Sequence, residues 1–268
     1  FVWSLVYRGK YKGPIVLLTD APKDRYKVIL EWTQNLIILE PPQEFTSTQH
    51  LPAMVRKRFK TFLLDFLTFD ARLDAVKIVY YLDIDIVIGS PMEDFFSNIE
   101  GRYNIQNVTA TGAAHMWMFE GNMEMWPFQG GQMILRRGGS EVCLERWRWY
   151  MDQLPLEKKD QTSLKMMVDK EREGSELPQH NTTKCNLIVM KQSPDLIEFP
   201  IPKTVRVLGK HHRLNGPTGH KYAPLVHIRN TYGKINTLSE DNYRHFIQDI
   251  LGLQDGEDKF GITAKLNF

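Results

Sequence analysis

The chain has 268 residues, 42% of them hydrophobic and 25% charged, which suits one compact domain with a sizeable core and excludes a disordered tail. A count of 34 basic against 32 acidic residues leaves a formal charge of +2, which excludes a surface built mainly for nucleic acid or anionic lipid. The two cysteines, Cys143 and Cys185, are too few for a disulfide framework or a Cys-rich zinc site, and Cys143 is expected to be a buried, inert thiol.

In chain order, β-branched runs bounded by Gly, Pro or Asp predict strands at Ile15 to Leu18 and at Leu36 to Leu39, the second closed by Glu40-Pro41-Pro42. Helical spacing follows over Ala53 to Phe69, where Phe59, Phe62, Leu63, Phe66 and Leu67 share a face. Lys77 to Ile88 is the longest apolar run and reads as a third strand, interrupted by Asp83 and Asp85. It falls far short of the roughly 20 residues that a spanning helix needs, so no membrane span is expected in this chain. His115-Met116-Trp117-Met118 reads as core packing, with a wall for an acceptor as the alternative. A strand at Met133 to Leu135, helices over Ser140 to Leu154 and Asp160 to Lys170, and strands at Leu187 to Met190 and Leu225 to Ile228 continue the alternation. Lys210 to Pro224, with His211, His212 and His220, reads as a loop, and Ser239 to Leu251 as a helix capped by Ser239. Alternating strands and helices imply an α/β sandwich with a mostly parallel central sheet, whose ligand site lies beyond the carboxyl ends of the strands.

The acidic pair carries the most chemistry. In an extended chain residues two apart share a face, so Asp83 and Asp85 are expected to set their carboxylates together, with Leu82, Ile84 and Ile86 opposite. Two unpaired carboxylates in a buried strand are costly, and a divalent cation removes the conflict. Hard oxygens suit Mn²⁺ or Mg²⁺ and leave coordination positions for water and phosphate oxygens. The alternative is a solvated strand end that caps the turn at Gly89-Ser90-Pro91.

Tyr81-Leu82-Asp83-Ile84-Asp85-Ile86-Val87, followed by Pro91-Met92-Glu93-Asp94-Phe95-Phe96, resembles the D-x-D strand and following helix of glycogenin-like family 8 glycosyltransferases, which have the GT-A fold. Phe128-Gln129-Gly130-Gly131-Gln132-Met133 is similar to that family's F-N-(A/S)-G segment, with Gln129 in place of Asn. Asp160-Gln161-Thr162-Ser163-Leu164 resembles its D-Q-x-x-L motif, and His227 with Lys234 its late H-x-x-G-x-x-K motif, although Asn230 stands at the Gly position and Lys234 is one residue late. The resemblance spans roughly Ile15 to Lys234. Family members open on a strand whose loop holds the nucleotide base, whereas Phe1 to Lys12 is similar to the helix after it, so a sheet short of its first strand is expected. The expected domain boundaries are 1–238 for the transferase domain and 239–268 for a C-terminal helix and tail.

The resemblance implies a metal-dependent transfer of a sugar from a UDP-sugar to a hydroxyl acceptor, a carbohydrate or glycoprotein, with retention of anomeric configuration. It implies that Asp83, Asp85 and His227 hold Mn²⁺ or Mg²⁺, that Lys60, Asp83 and Lys234 contact the nucleotide, that Gln129, Gly130 and Gly131 line the donor, and that Asp160 and Gln161 lie behind the reacting carbon. For Lys60 an ordinary solvated helix face is the alternative. Two other readings stay open: nucleotidyl transfer, which shares paired carboxylates on an α/β sheet, and a GT-A-like domain that binds sugar or nucleotide without turnover. Glycosylation sequons at Asn107 and Asn181 favour the Golgi lumen, with a membrane anchor upstream, over the cytoplasm.

Overall fold

The computed structural model describes residues 1–19, 27–41, 57–84, 86–88, 91–107, 113–123, 126–154, 160–173, 183–190, 196–200 and 225–229. The elements in chain order are a π-helical turn (Ser4–Arg8), β1 (Ile15–Leu18), α1 (Lys27–Trp32), β2 (Leu36–Leu39), three 3₁₀ turns (Phe59–Phe62, Asp65–Phe69, Ala71–Leu73), β3 (Ile78–Leu82), β4 (Ile86–Ile88), α2 (Met92–Arg102), a 3₁₀ turn (Ile105–Asn107), β5 (Ala113–Met123), β6 (Trp126–Arg136), α3 (Glu141–Asp152), α4 (Asp160–Glu173), β7 (Lys184–Met190), β8 (Leu196–Pro200) and β9 (Leu225–Arg229). This is an α/β fold. It divides into two units, residues 1–12, 84–99 and 193–268 in one and residues 13–83 and 100–192 in the other.

The second unit contains a four-stranded sheet in the order β3-β6-β5-β7 and the parallel pair β1-β2. β6 is antiparallel to β3 and β5, and β7 is parallel to β5, so three strands point one way and β6 alone runs against them. One face of the sheet, bearing Met116, Met118, Met133 and Leu135, joins a core with α3 and α4. α3 buries Cys143, Leu144, Trp147, Tyr150 and Met151, the spacing of a single helical stripe. The other face is buried too, since Trp117 and its register partner Ile134 are 0% and 1% exposed. Strands covered on both faces read as unbroken apolar runs, which is how Met116 to Phe119 reads.

Three sequence expectations are corrected in this unit and its neighbour. The run from Lys77 to Ile88 is two strands: β3 ends at Leu82, and β4 belongs to a different sheet, of order β4-β9-β8. β3 is a half-buried edge strand, and the chain leaves its ladder at Asp83, whose N–H makes a last bond to the Gly131 carbonyl at 2.8 Å. Of the helix expected over Ala53 to Phe69, the structure describes helical residues at Lys57 and Arg58 and then a succession of tighter turns, with Phe59, Phe62 and Phe69 packed around Phe66 at centroid distances of 6.3, 6.4 and 5.5 Å. Cys143 is not an inert thiol: it is joined to Cys185 of β7 in a disulfide.

In the first unit Ser4 Oγ accepts the Ile88 N–H at 3.0 Å, and the Gly9 carbonyl accepts the Met92 N–H at 2.9 Å. A Cβ on Gly9 would stand 2.5 Å from the Leu5 carbonyl oxygen, a contact only glycine avoids. β9 pairs antiparallel with β4 and parallel with β8. The loop expected over Lys210 to Pro224 and the helix over Ser239 to Leu251 lie outside the described residues. Among the described residues no helix is long and apolar enough to cross a membrane.

Candidate active site

Four separate stretches of the second unit meet at the end of β3. Asp83 follows the last residue of that strand, and Gly130 and Gly131 stand on β6, just before Gln132, the register partner of Leu82. Asp160 and Gln161 open α4, and Lys60 sits in the first 3₁₀ turn. The turns bury Phe59, Phe62 and Phe66, and with them the stem of Lys60, whose residue is 8% exposed.

The Lys60 ammonium lies 2.8 Å from Asp160 Oδ2, 3.2 Å from Asp83 Oδ1 and 3.1 Å from the Gly130 carbonyl oxygen, to which it donates. Lys57 Nζ adds a second cation, 3.1 Å from Asp160 Oδ1. The Tyr81 hydroxyl donates to Asp83 Oδ1, and Lys60 Nζ stands 5.3 Å from the centroid of the Tyr81 ring. Tyr81 and Asp83 are two apart at the end of one strand, so the ring and the carboxylate come to one face. Gln161 straps α4 to β6 with both ends of its amide: Oε1 accepts the Gly130 N–H at 3.0 Å, and Nε2 donates to the Phe128 carbonyl. Trp147 Nε1 holds the same turn from behind, donating to Ser163 Oγ at 2.9 Å and to the Asp160 carbonyl at 3.2 Å.

The electrostatics follow from this packing. Burial pulls the pKa of Lys60 down, but the charges of its neighbours outweigh it and the net direction is upward. Burial first, and then Asp83, push the Tyr81 hydroxyl well above its ordinary range, so Tyr81 keeps its proton. For Asp160 burial raises the pKa, but Lys60 and then Lys57 outweigh it and hold the carboxyl below its usual range. Lys60 and Asp160 therefore form an ionised pair at neutral pH.

Of the residues singled out in the sequence, Lys60, Asp83, Gly130, Gly131, Asp160 and Gln161 are brought together. Asp85 and Lys234 lie outside the described residues. Gln129 lies on β6 and His227 on β9, opposite Ile86, and only their backbones are described. Sequence reasoning missed Lys57, Tyr81 and Trp147. Lys57 precedes Lys60 by one turn in the same basic run, and Tyr81 precedes Asp83 by two, so both carried a spacing signal. Trp147 carried none, because its partners, the Asp160 carbonyl and Ser163 Oγ, lie 13 and 16 positions away on the next helix.

Among the described residues no group of three or more His, Cys, Asp or Glu side chains is placed to hold a metal ion. Asp83 is the expected ligand whose side chain is described, and it fits a hard cation. Its side chain is 30% exposed, and it faces the bare Cα of Gly131, where a Cβ would stand 2.4 Å from Oδ2.

No known family model matches the sequence, and no curated protein matches it at significant similarity. Solved structures similar to the chain include the following two. One is a glycosyltransferase involved in the glycosylation of the major capsid of PBCV-1, with a TM-score of 0.40 and 12% identity over 82% of this chain and 94% of that one. The other is an active-site mutant of LgtC, with a TM-score of 0.43 and 10% identity over 98% of this chain and 88% of that one.

Proposed function

We propose that the chain is a metal-dependent glycosyltransferase of GT-A type, moving a sugar from a UDP-sugar to a hydroxyl of a carbohydrate or glycoprotein acceptor with retention of configuration. One observation carries this reading: residues from three motif-like stretches, 23 to 103 positions away, converge on the single ammonium of Lys60 and on its neighbour Lys57. Leaving-group chemistry on a diphosphate asks for fixed positive charge beside hard oxygen ligands, and Lys60 beside Asp83 supplies that pairing. Asp83, Asp85 and His227 would hold Mn²⁺ or Mg²⁺, which as a Lewis acid offsets charge on the departing diphosphate. Gly130 and Gly131 leave room for the Gln161 amide and the Asp83 carboxylate to lie against the β6 backbone, and they would line the donor together with Gln129, with Lys234 as a diphosphate contact. Asp160, held by two lysines, would lie behind the reacting carbon as the fixed carboxylate that faces an oxocarbenium-like centre.

A second reading, a domain that binds nucleotide or sugar without turnover, draws on the Gln161 strap, because both polar ends of that amide are engaged by β6. A panel of UDP-sugars with Mn²⁺ and simple glycoside acceptors separates the two. Release of UDP from one donor, with the product anomer matching the donor by proton NMR, is expected. Inversion would overturn the retaining assignment, and donor binding with no UDP release from any sugar would favour the second reading.

A further inference from the structure

The disulfide between Cys143 and Cys185 has its Cα atoms 5.2 Å apart and links positions 42 residues apart. The segment it closes contains all of α4, and with it Asp160 and Gln161. The same helix, α3, also grips α4 at both ends: Trp147 donates to the Asp160 carbonyl and Ser163 Oγ in the first turn, and the Arg146 guanidinium pairs with Glu171 in the last. Arg146 also donates to the Thr183 carbonyl at 2.8 Å, just before β7 begins. So α3 holds the first turn of α4 from behind, beside the Gln161 strap to β6 and the lysines on Asp160, and the disulfide fastens α3 to the sheet one turn earlier.

We infer that Cys143–Cys185 is a covalent modification site that fixes the first turn of α4, and that the chain acquires it by thiol–disulfide exchange in a compartment where thiols are oxidised. One cysteine thiolate attacks a sulfur of a glutathione-type disulfide, forming a mixed disulfide and releasing one thiol. The second cysteine then displaces the other thiol. Two protein thiols become one S–S bond while one donor disulfide is reduced to two thiols, so electrons and protons balance. With Cys143 0% and Cys185 5% exposed, a reductant has little access in the folded chain, and the bond is lasting rather than cycling.

The test does not read sugar transfer, so its failure leaves the transferase reading standing, and the reverse holds as well. The full chain from secretion-competent cells is denatured with iodoacetamide and no reductant. A single linked peptide pair containing Cys143 and Cys185 is expected, with neither alkylated. Hydrogen exchange is then compared between this chain and the Cys143→Ala/Cys185→Val double variant. Amides of residues 160–164 should exchange at least tenfold faster in the variant, while those of β1 and β2 change by less than threefold. Should the variant not fold, wild-type chain produced with free thiols is measured before and after oxidation by glutathione disulfide, and folding or protection of residues 160–164 that appears only on oxidation supports the inference equally. Two alkylated cysteines in the chain from oxidising cells, or equal exchange at residues 160–164 with and without the link, would overturn it.

Discussion

Among the described residues of the second unit two cations are buried, Lys60 and Arg146, and they are buried differently. The Arg146 side chain is 1% exposed and its partner Glu171 8%, so this pair joins α3 to α4 inside a closed environment. Lys60, at 10%, draws carboxylates from two different elements, and one of them, Asp83, remains 30% exposed beside a bare glycine. A closed pair can only serve the fold, at a considerable desolvation cost. A cluster with one carboxylate open to water retains the capacity to exchange a partner for a ligand, and such concentrations of perturbed charge mark functional sites more often than structural ones.

If that contrast is right, the largest stability effect belongs to the closed pair. Arg146→Ala leaves Glu171 buried without its partner and should cost about 3–5 kcal/mol in urea unfolding, with no selective effect on nucleotide binding beyond the loss of folded protein. Lys60→Met should cost less, about 1–3 kcal/mol, because Lys57 stays on Asp160 and Asp83 reaches water, yet it should abolish UDP binding. The contrast would be broken by equal costs in the two variants, or by normal binding in the second. Gly131→Ala sharpens it further: the new Cβ displaces the Asp83 carboxylate, with an expected cost of about 1–2 kcal/mol and at least a tenfold loss of UDP affinity. The smallest effect is on acid stability. Asp160 is held below its ordinary pKa, so its contribution is complete above the unfolded value of about 4 and is lost as pH falls through the folded value. Urea midpoints between pH 6 and pH 3 should therefore drop in the wild type and drop less in Lys60→Met; identical profiles would place the charge of Asp160 elsewhere.

The parts of the fold that were legible in the sequence are those with short-range signals. β1, β2 and β9 carry β-branched runs, and α3 and α4 carry stripes at helical spacing; each appears within a few residues of its expected bounds. β5 was missed as a strand because its Ala-Ala-His-Met-Trp-Met run has no β-branched residue, and its partners on β6 and β7 supply the pattern that the local sequence lacks. The break after Leu82 was hidden in the opposite way, since Ile86 to Ile88 continues the apolar composition while pairing with a strand about 140 positions away. The disulfide left no local signal either. Two cysteines 42 positions apart look like two core residues until a helix stripe and a strand face are known to meet. At the site, Asp83, Asp160 and Lys60 could be named from motif context, but their mutual contact through Lys60, and the backbone strap made by Gln161, depend on tertiary packing alone.

Calorimetry of UDP with and without Mn²⁺, on the wild type and on Asp83→Asn, addresses the open carboxylate most directly. Binding that appears only with Mn²⁺ and weakens at least tenfold in Asp83→Asn is the predicted result. Binding that is indifferent to Mn²⁺, or unchanged in a folded Asp83→Asn chain, would contradict it.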